Sequence, residues 1–238
     1  MAELLTIREL DKLKPKTQKS NLNVKKRKTT RKKTSDEAKK AKKHEEEIAR
    51  NADIVFGLDN GATGTIAAII ASNPSEVFFR LTPAIYEKDY QKSSQQKIAR
   101  IDWISLKKWF EDTIHECKEI LSKKEIKACV LLERPMINAE RFKQSKNAAR
   151  AFEATLIVLE MLGLKDRYIV VDSKRWQHFF FGKNTVQLDL KKSSADLGVK
   201  FIKSLKNLKD KEEIIKTIQS HGDADGLMIA KYGFDKLR

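Results

Sequence analysis

Between residues 54 and 81 the chain alternates short apolar runs with clusters of turn-forming residues. IVFGL (54–58), GTIAAIIA (64–71) and EVFFRL (76–81) are rich in β-branched and aromatic side chains, and DNGAT and SNPS separate them. Three such runs joined by tight turns predict an antiparallel meander of strands. From residue 101 the period lengthens: Ile104, Trp109 or Lys108, Phe110, Ile114, Cys117 and Leu121 recur at mostly three-to-four spacing. That spacing predicts a helix over 101–121, with Asp102 as its N-cap. KACVLLE (127–133) predicts a fourth strand, and YIVVD (168–172) a fifth. Between them a helix over about 139–163 carries Ala148, Phe152, Thr155, Leu156, Leu159 and Leu162 on one face. The rest reads as helices near 173–181, 187–206, 210–220 and 223–232. This order predicts a layered α/β domain: a mixed sheet of a three-strand antiparallel meander plus two parallel strands, flanked by helices.

The first 50 residues have a different character. Residues 1–33 hold little that could form a core, and KKRK (25–28) with RKK (31–33) make a dense basic block, a composition expected to be disordered in isolation. SDEAKKAKKHEEEIARN (35–51) has helix-forming composition but almost no apolar stripe, which predicts a solvent-exposed helix leading into the domain. The division expected is a basic tail over 1–50 and a folded domain over 51–238. With 238 residues and 40% hydrophobic content, one substantial core is available.

Net charge is +16 and the pI near 9.7; residues 1–50 alone carry +9. Such a balance favours phosphate-rich partners, nucleic acid before an anionic membrane surface. For the tail, a nucleic-acid arm, a localisation signal and a solubilising extension all fit. The two cysteines, Cys117 and Cys129, offer neither a disulfide framework nor a CxxC metal site and suit a reducing compartment. No apolar stretch approaches the roughly 20 residues of a membrane span, and the first residues lack the apolar core of a secretory signal. A soluble, intracellular protein without membrane contact is expected.

Three acids sit where apolar elements end. Asp59 closes the first strand, Glu133 closes KACVLLE with Pro135 two positions later, and Asp225 opens a helix whose Leu227, Met228 and Ile229 would pack on the sheet. A carboxylate fixed to core elements is costly unless a positive charge meets it. Arg134 or Lys174 could supply one. The other solution is a hard divalent cation: Mg²⁺ takes oxygen ligands from one or two carboxylates, and a pair of such ions promotes phosphodiester hydrolysis.

GLDNGATGTIAAI resembles the first motif of the RuvC-like Holliday junction resolvases, and LLERPMINAERFKQSKNAARAFEATLIVLEMLG resembles the second. VVDSKRWQHFFFG and DLKKSSADLGVKFI are similar to segments of the phage and viral branch, and HGDADGLMIAKYG resembles the closing motif. The resemblance runs from about residue 53 to 234. It implies an RNase H-like fold and a Mg²⁺-dependent nuclease, with two ions and Mn²⁺ as a substitute, acting as a homodimer on branched DNA such as four-way junctions in recombination and repair. If the chain is viral, the host cytoplasm is its expected location; the basic tail leaves nucleus or organelle open. Position by position, the resemblance carries metal binding and catalysis to Asp59, Glu133 and Asp225. The fourth position departs from the family pattern: Gly222 stands where an acid or histidine is usual, and Asp223, ahead of His221, is the expected substitute.

DNA contacts are expected from the helix after Glu133. Lys143, Lys146 and Arg150 share a face by their spacing, and Phe142, between Arg141 and Lys143, is a candidate to stack on an unpaired base. A solvated helix face and a core phenylalanine are the plainer readings; Trp176 is expected in the core or an interface. Rival functions are another RNase H-fold nuclease cutting flaps, branches or RNA–DNA hybrids, a catalytically silent nucleic-acid-binding protein, and an actin-like ATPase or kinase. The last shares an acid-glycine-threonine turn but needs a second phosphate loop that this glycine-poor chain lacks.

Overall fold

The computed structural model describes residues 23–59, 61–88, 97–183 and 189–238. Two compact units are present, Met1–Lys43 and His44–Arg238. Of the first unit, residues 1–22 lie outside the described residues, and with them the first part of the expected disordered tail. A helix, α1 (Asn23–Arg50), begins 12 residues earlier than its composition predicts and takes in the basic block. Its last two turns, from His44 to Arg50, belong to the second unit, where Ile48 and Ala49 are buried.

The second unit is built on a five-stranded sheet. Its strands are β1 (Ile54–Leu58), β2 (Thr65–Ile70), β3 (Val77–Leu81), β6 (Ala128–Glu133) and β7 (Tyr168–Val171), in the spatial order β3-β2-β1-β6-β7. β2 pairs antiparallel with both β1 and β3, whereas β6 and β7 run parallel to β1. The expected meander and parallel pair are both present, and this mixed sheet flanked by helices is consistent with an RNase H-like fold. A separate hairpin, β4 (Ala84–Lys88) with β5 (Lys97–Ile101), was not legible in the hydrophobic pattern. It shows a mostly exposed face, with Tyr86 at 63%, so no long apolar run marks it.

Helices cover the sheet on both faces, which is why β1 and β2 are buried at every position. On one face Ile54, Phe56 and Leu58 meet α2 (Trp103–Leu121) and α3 (Phe142–Met161), the latter preceded by a 3₁₀ turn at Ala139–Arg141. Phe56, Trp109 and Phe110 stack with centroids 4.7 to 5.6 Å apart. On the opposite face Val55, Ala67, Ile69 and Leu131 pack against α4 (Ser173–Phe181), α5 (Leu190–Ser204), α6 (Lys211–His221) and α7 (Asp225–Tyr232). Asp102 caps α2 as expected, accepting from the Ser105 amide at 3.2 Å. Ile104, expected in the core, is 62% exposed and Leu106, two positions on, is buried in its stead, whereas Trp109, Phe110 and Cys117 are buried as expected.

Two glycines set how α7 lies on the sheet. A Cβ on Gly57, in the middle of β1, would stand 2.1 Å from the Ala230 nitrogen, and one on Gly226 would stand 2.2 Å from the Thr65 carbonyl oxygen. Helix and strands thus touch backbone to backbone. Leu227, Met228 and Ile229 are all fully buried beneath this contact.

Candidate functional site

Strand alternation aims the acids. Along β1 the Val55 side chain and, two steps on, the open Cα face of Gly57 are turned towards α7, so Asp59 at the strand's end faces the same way. β6 is in register with β1, Leu58 opposite Leu132, and Glu133 follows Cys129 and Leu131 on that same face. Thr65 at the start of β2 and the α6–α7 junction close the site from the other side. Four carboxylates from elements far apart in sequence meet at the end of the two parallel strands.

One oxygen each of Asp59, Asp223 and Asp225 lies within 4.8 Å of the others. Glu133 stands beside this trio, close enough to act on the Asp59 carboxyl. Burial, with Glu133, Asp223 and Asp225 close by, pushes the Asp59 carboxyl well above the usual carboxylate range. Burial and then Asp223 raise Asp225 to about 7, although a hydrogen bond with Ser194 opposes the shift. Gly64 makes room for this crowding: a Cβ there would meet the Asp59 carboxylate at 2.6 Å.

Asp223, only 1% exposed, is the fully tied member. Its Oδ1 accepts from the Thr65 hydroxyl (3.3 Å) and from the Asp225 amide (2.8 Å), and its Oδ2 from Lys191 Nζ (3.1 Å). The Thr65 hydroxyl oxygen in turn accepts from the Gly226 amide at 2.9 Å. Burial works against the Lys191 charge, but the bond to Asp223 outweighs it and holds the ammonium above its ordinary value, with Asp59 and Asp225 adding to the effect.

The sequence pointed to different cations. Arg134 pairs with Asp172 at 2.6 Å, Lys174 is exposed, and the cation that reaches the acids is Lys191, from the second residue of α5. Among the described residues, one lysine faces the four carboxylates and leaves them short of positive charge. His221 closes α6, and its Nε2 lies 3.0 Å from the Thr63 carbonyl oxygen, outside the acidic trio.

Can these residues hold a cation? The Asp225 Oδ1 atom is buried without a hydrogen-bond partner among the described residues, a state that costs about 1–3 kcal/mol, more for a charged group. All donors are carboxylate oxygens, the set that suits Mg²⁺ or Mn²⁺ rather than softer ions. The residues fit a divalent cation.

After β6, Phe142 is 73% exposed rather than packed in the core, and Arg141, just before α3, and Lys146 and Arg150, within it, are exposed. The side chain of Lys143 lies outside the described residues. Sequence reasoning missed the neighbouring Met136 and Ile137, 72% and 67% exposed in the loop directly after Glu133; exposed apolar residues beside a strand-end acid were the available signal. It also missed Thr65 and Lys191, whose roles arise only from the folded geometry. Trp176 is fully buried as expected.

Fold and site together define a mixed α/β domain, consistent with an RNase H-like fold, with an oxygen-only acidic centre. No protein-family model matches the chain, and no curated protein matches it. Among solved structures it is similar to one described as "Thermus thermophilus RuvC structure", with 13% identity and a TM-score of 0.35, over 76% of this chain and 93% of that one. Among the described residues, no helix is long and apolar enough to cross a membrane.

Proposed function

We propose that this protein is a divalent-metal-dependent endonuclease that hydrolyses phosphodiesters in branched DNA, four-way junctions foremost, and works as a homodimer. The observation that supports this best is the convergence of Asp59, Glu133, Asp223 and Asp225 at one end of the sheet, with a buried carboxylate oxygen of Asp225 unpartnered among the described residues. Asp59, Asp223, Asp225 and Glu133 would hold the cations, and Asp223 would also tie the α6–α7 junction to β2 through Thr65. Divalent cations in such a centre supply Lewis-acid stabilisation of the charge that develops on a phosphoryl group.

The chain's own residues do the rest. The sheet fixes Asp59 and Glu133, so little reorganisation accompanies reaction. Lys191, with its side chain 66% exposed, stands at the rim where a phosphate would approach and partly offsets the charge of the acids. Arg141, Lys146 and Arg150 provide the basic path for a DNA backbone, and Phe142 an exposed ring for an unpaired base. Water attacks phosphorus in line and the 3′ oxygen leaves, giving a 5′ phosphate and a 3′ hydroxyl.

The test is cleavage in Mg²⁺ of a panel: four-way junction, flap, linear duplex and RNA–DNA hybrid. Preferential junction cutting is expected. Asp59→Asn is expected to keep fold and junction binding and to lose cleavage; cleavage at the parent rate overturns the site. Preferential cutting of the hybrid instead assigns the chain to a different RNase H-fold activity. Sedimentation of the protein with and without junction reads the oligomeric state.

A further inference from the structure

Trp176 is fully buried, and its indole Nε1 donates a hydrogen bond to Glu133 Oε1 at 3.1 Å. We infer that Trp176 is a positioning residue for the acidic centre: by holding one oxygen of Glu133, it fixes the direction in which the other is presented and so sets the affinity for the divalent cation. This rests on the metal-centre reading above.

Glu133 is the member of the centre most in need of such a hold. It has one more methylene than the three aspartates, and ordering a glutamate side chain costs up to about 1.5–2 kcal/mol of rotamer entropy. Asp223 is tied by Thr65, Lys191 and a backbone amide. Asp59 is hemmed in by Gly64. For Glu133, the indole is the hydrogen-bond donor that the described residues supply.

A buried tryptophan N–H needs an acceptor, and any backbone carbonyl would satisfy it if packing were its sole purpose. Here the donor goes to a carboxylate, where the bond is charge-assisted and roughly twice as strong as a neutral one. The platform beneath it is also fixed. Val171, two residues before α4, pairs with Glu133 across the sheet, and the Arg134 amide donates to the Val171 carbonyl at 2.9 Å. Arg175 Nη1, beside the tryptophan in sequence, donates to Glu45 at 2.9 Å. The ring of Phe181 meets the Trp176 ring edge-on at 6.4 Å. The helix that carries the indole therefore cannot swing away from Glu133 without breaking contacts on both sides.

The decisive variant is Trp176→3-benzothienylalanine in the full-length protein, which keeps the shape of the ring and replaces the N–H by sulfur. Mn²⁺ binding without DNA is read by the electron paramagnetic resonance of the free ion, alongside thermal unfolding in EDTA. Binding about 10- to 100-fold weaker, the usual effect of removing a residue that orients a ligand, is expected with the melting temperature essentially kept. The indole ¹⁵N–¹H resonance of Trp176, identified by its loss in that variant, is expected to move upfield in Glu133→Gln, where the acceptor is neutral. Unchanged Mn²⁺ affinity in the isostere, while Asp59→Asn abolishes binding, overturns the inference alone. So does a fall in affinity that only follows a fall in thermal stability. Unchanged Mn²⁺ binding in Asp59→Asn overturns the metal centre itself, and the role of Trp176 with it.

Discussion

Replacing Asp225 by asparagine removes a charge that the folded chain holds at a cost in the absence of a cation. Burial first, then Asp223, lifts its carboxyl from 3.8 to about 7, a difference worth roughly 4 kcal/mol. The folded state keeps a proton that the unfolded chain has already released, so stability is highest below pH 3.8, falls as pH rises to about 7 and is flat above. Against the gain from removing the charge stands the loss of an acid in the first turn of α7, about 0.3–1 kcal/mol. Part of the strain is also shared with Asp59 and Glu133 and does not belong to Asp225 alone. A net gain of roughly 2–3 kcal/mol at pH 8 is expected. At about 2–4 °C per kcal/mol for a chain of this size, that raises the melting temperature on the order of 5–10 °C. The assay is thermal unfolding by circular dichroism in EDTA from pH 4 to 8.5. The two proteins are expected to converge near pH 4 and separate towards pH 8. Added Mg²⁺ should then raise the parent and leave Asp225→Asn nearly unmoved. A variant no more stable than the parent at pH 8, or a gap independent of pH, refutes the reasoning.

Two further outcomes follow from packing and charge. Gly226→Ala places a methyl group 2.2 Å from the Thr65 carbonyl oxygen. Because both neighbours are backbone, α7 must lift from β2, at a cost of about 1–3 kcal/mol in urea unfolding and with weaker Mn²⁺ binding as Asp225 moves; unchanged stability would contradict the seating of α7. Removing residues 1–43 deletes 16 lysines and arginines against 5 acids and is expected to weaken DNA binding and flatten its dependence on log[salt], with cleavage retained. An unchanged salt slope would argue for a targeting role. Removing residues 1–50 is expected to lower the melting temperature as well, because it takes Ile48 and Ala49 from the core and Glu45 from Arg175.

The strand runs at 54–58, 64–71 and 127–133 are legible because burial on both faces demands unbroken apolar sequence. The helices are legible because their buried stripes recur at helical period. Acids placed where such runs stop are likewise readable as candidates, since a carboxylate at the end of a buried strand conflicts with its surroundings. The β4–β5 hairpin escaped because its exposed face leaves no apolar run. The early start of α1 escaped because a polar helix has no stripe to betray it.

Tertiary structure alone decided which residues meet the acids. Arg134 is adjacent to Glu133 in sequence yet pairs with Asp172, because the Arg134 side chain leaves from the other side of the strand end. Lys191 lies 32 residues from Asp223 and reaches it because α5 and α7 pack together, Gly198 letting Ala224 approach. Trp176 finds Glu133 because β6 and β7 are parallel and end side by side. Sequence sets which side chains must be buried and which acids sit at the margins of buried elements, since both follow from local period and the cost of desolvation. Partners across the sheet depend on register and on helices crossing at a glycine's distance, and those are properties of the assembled fold.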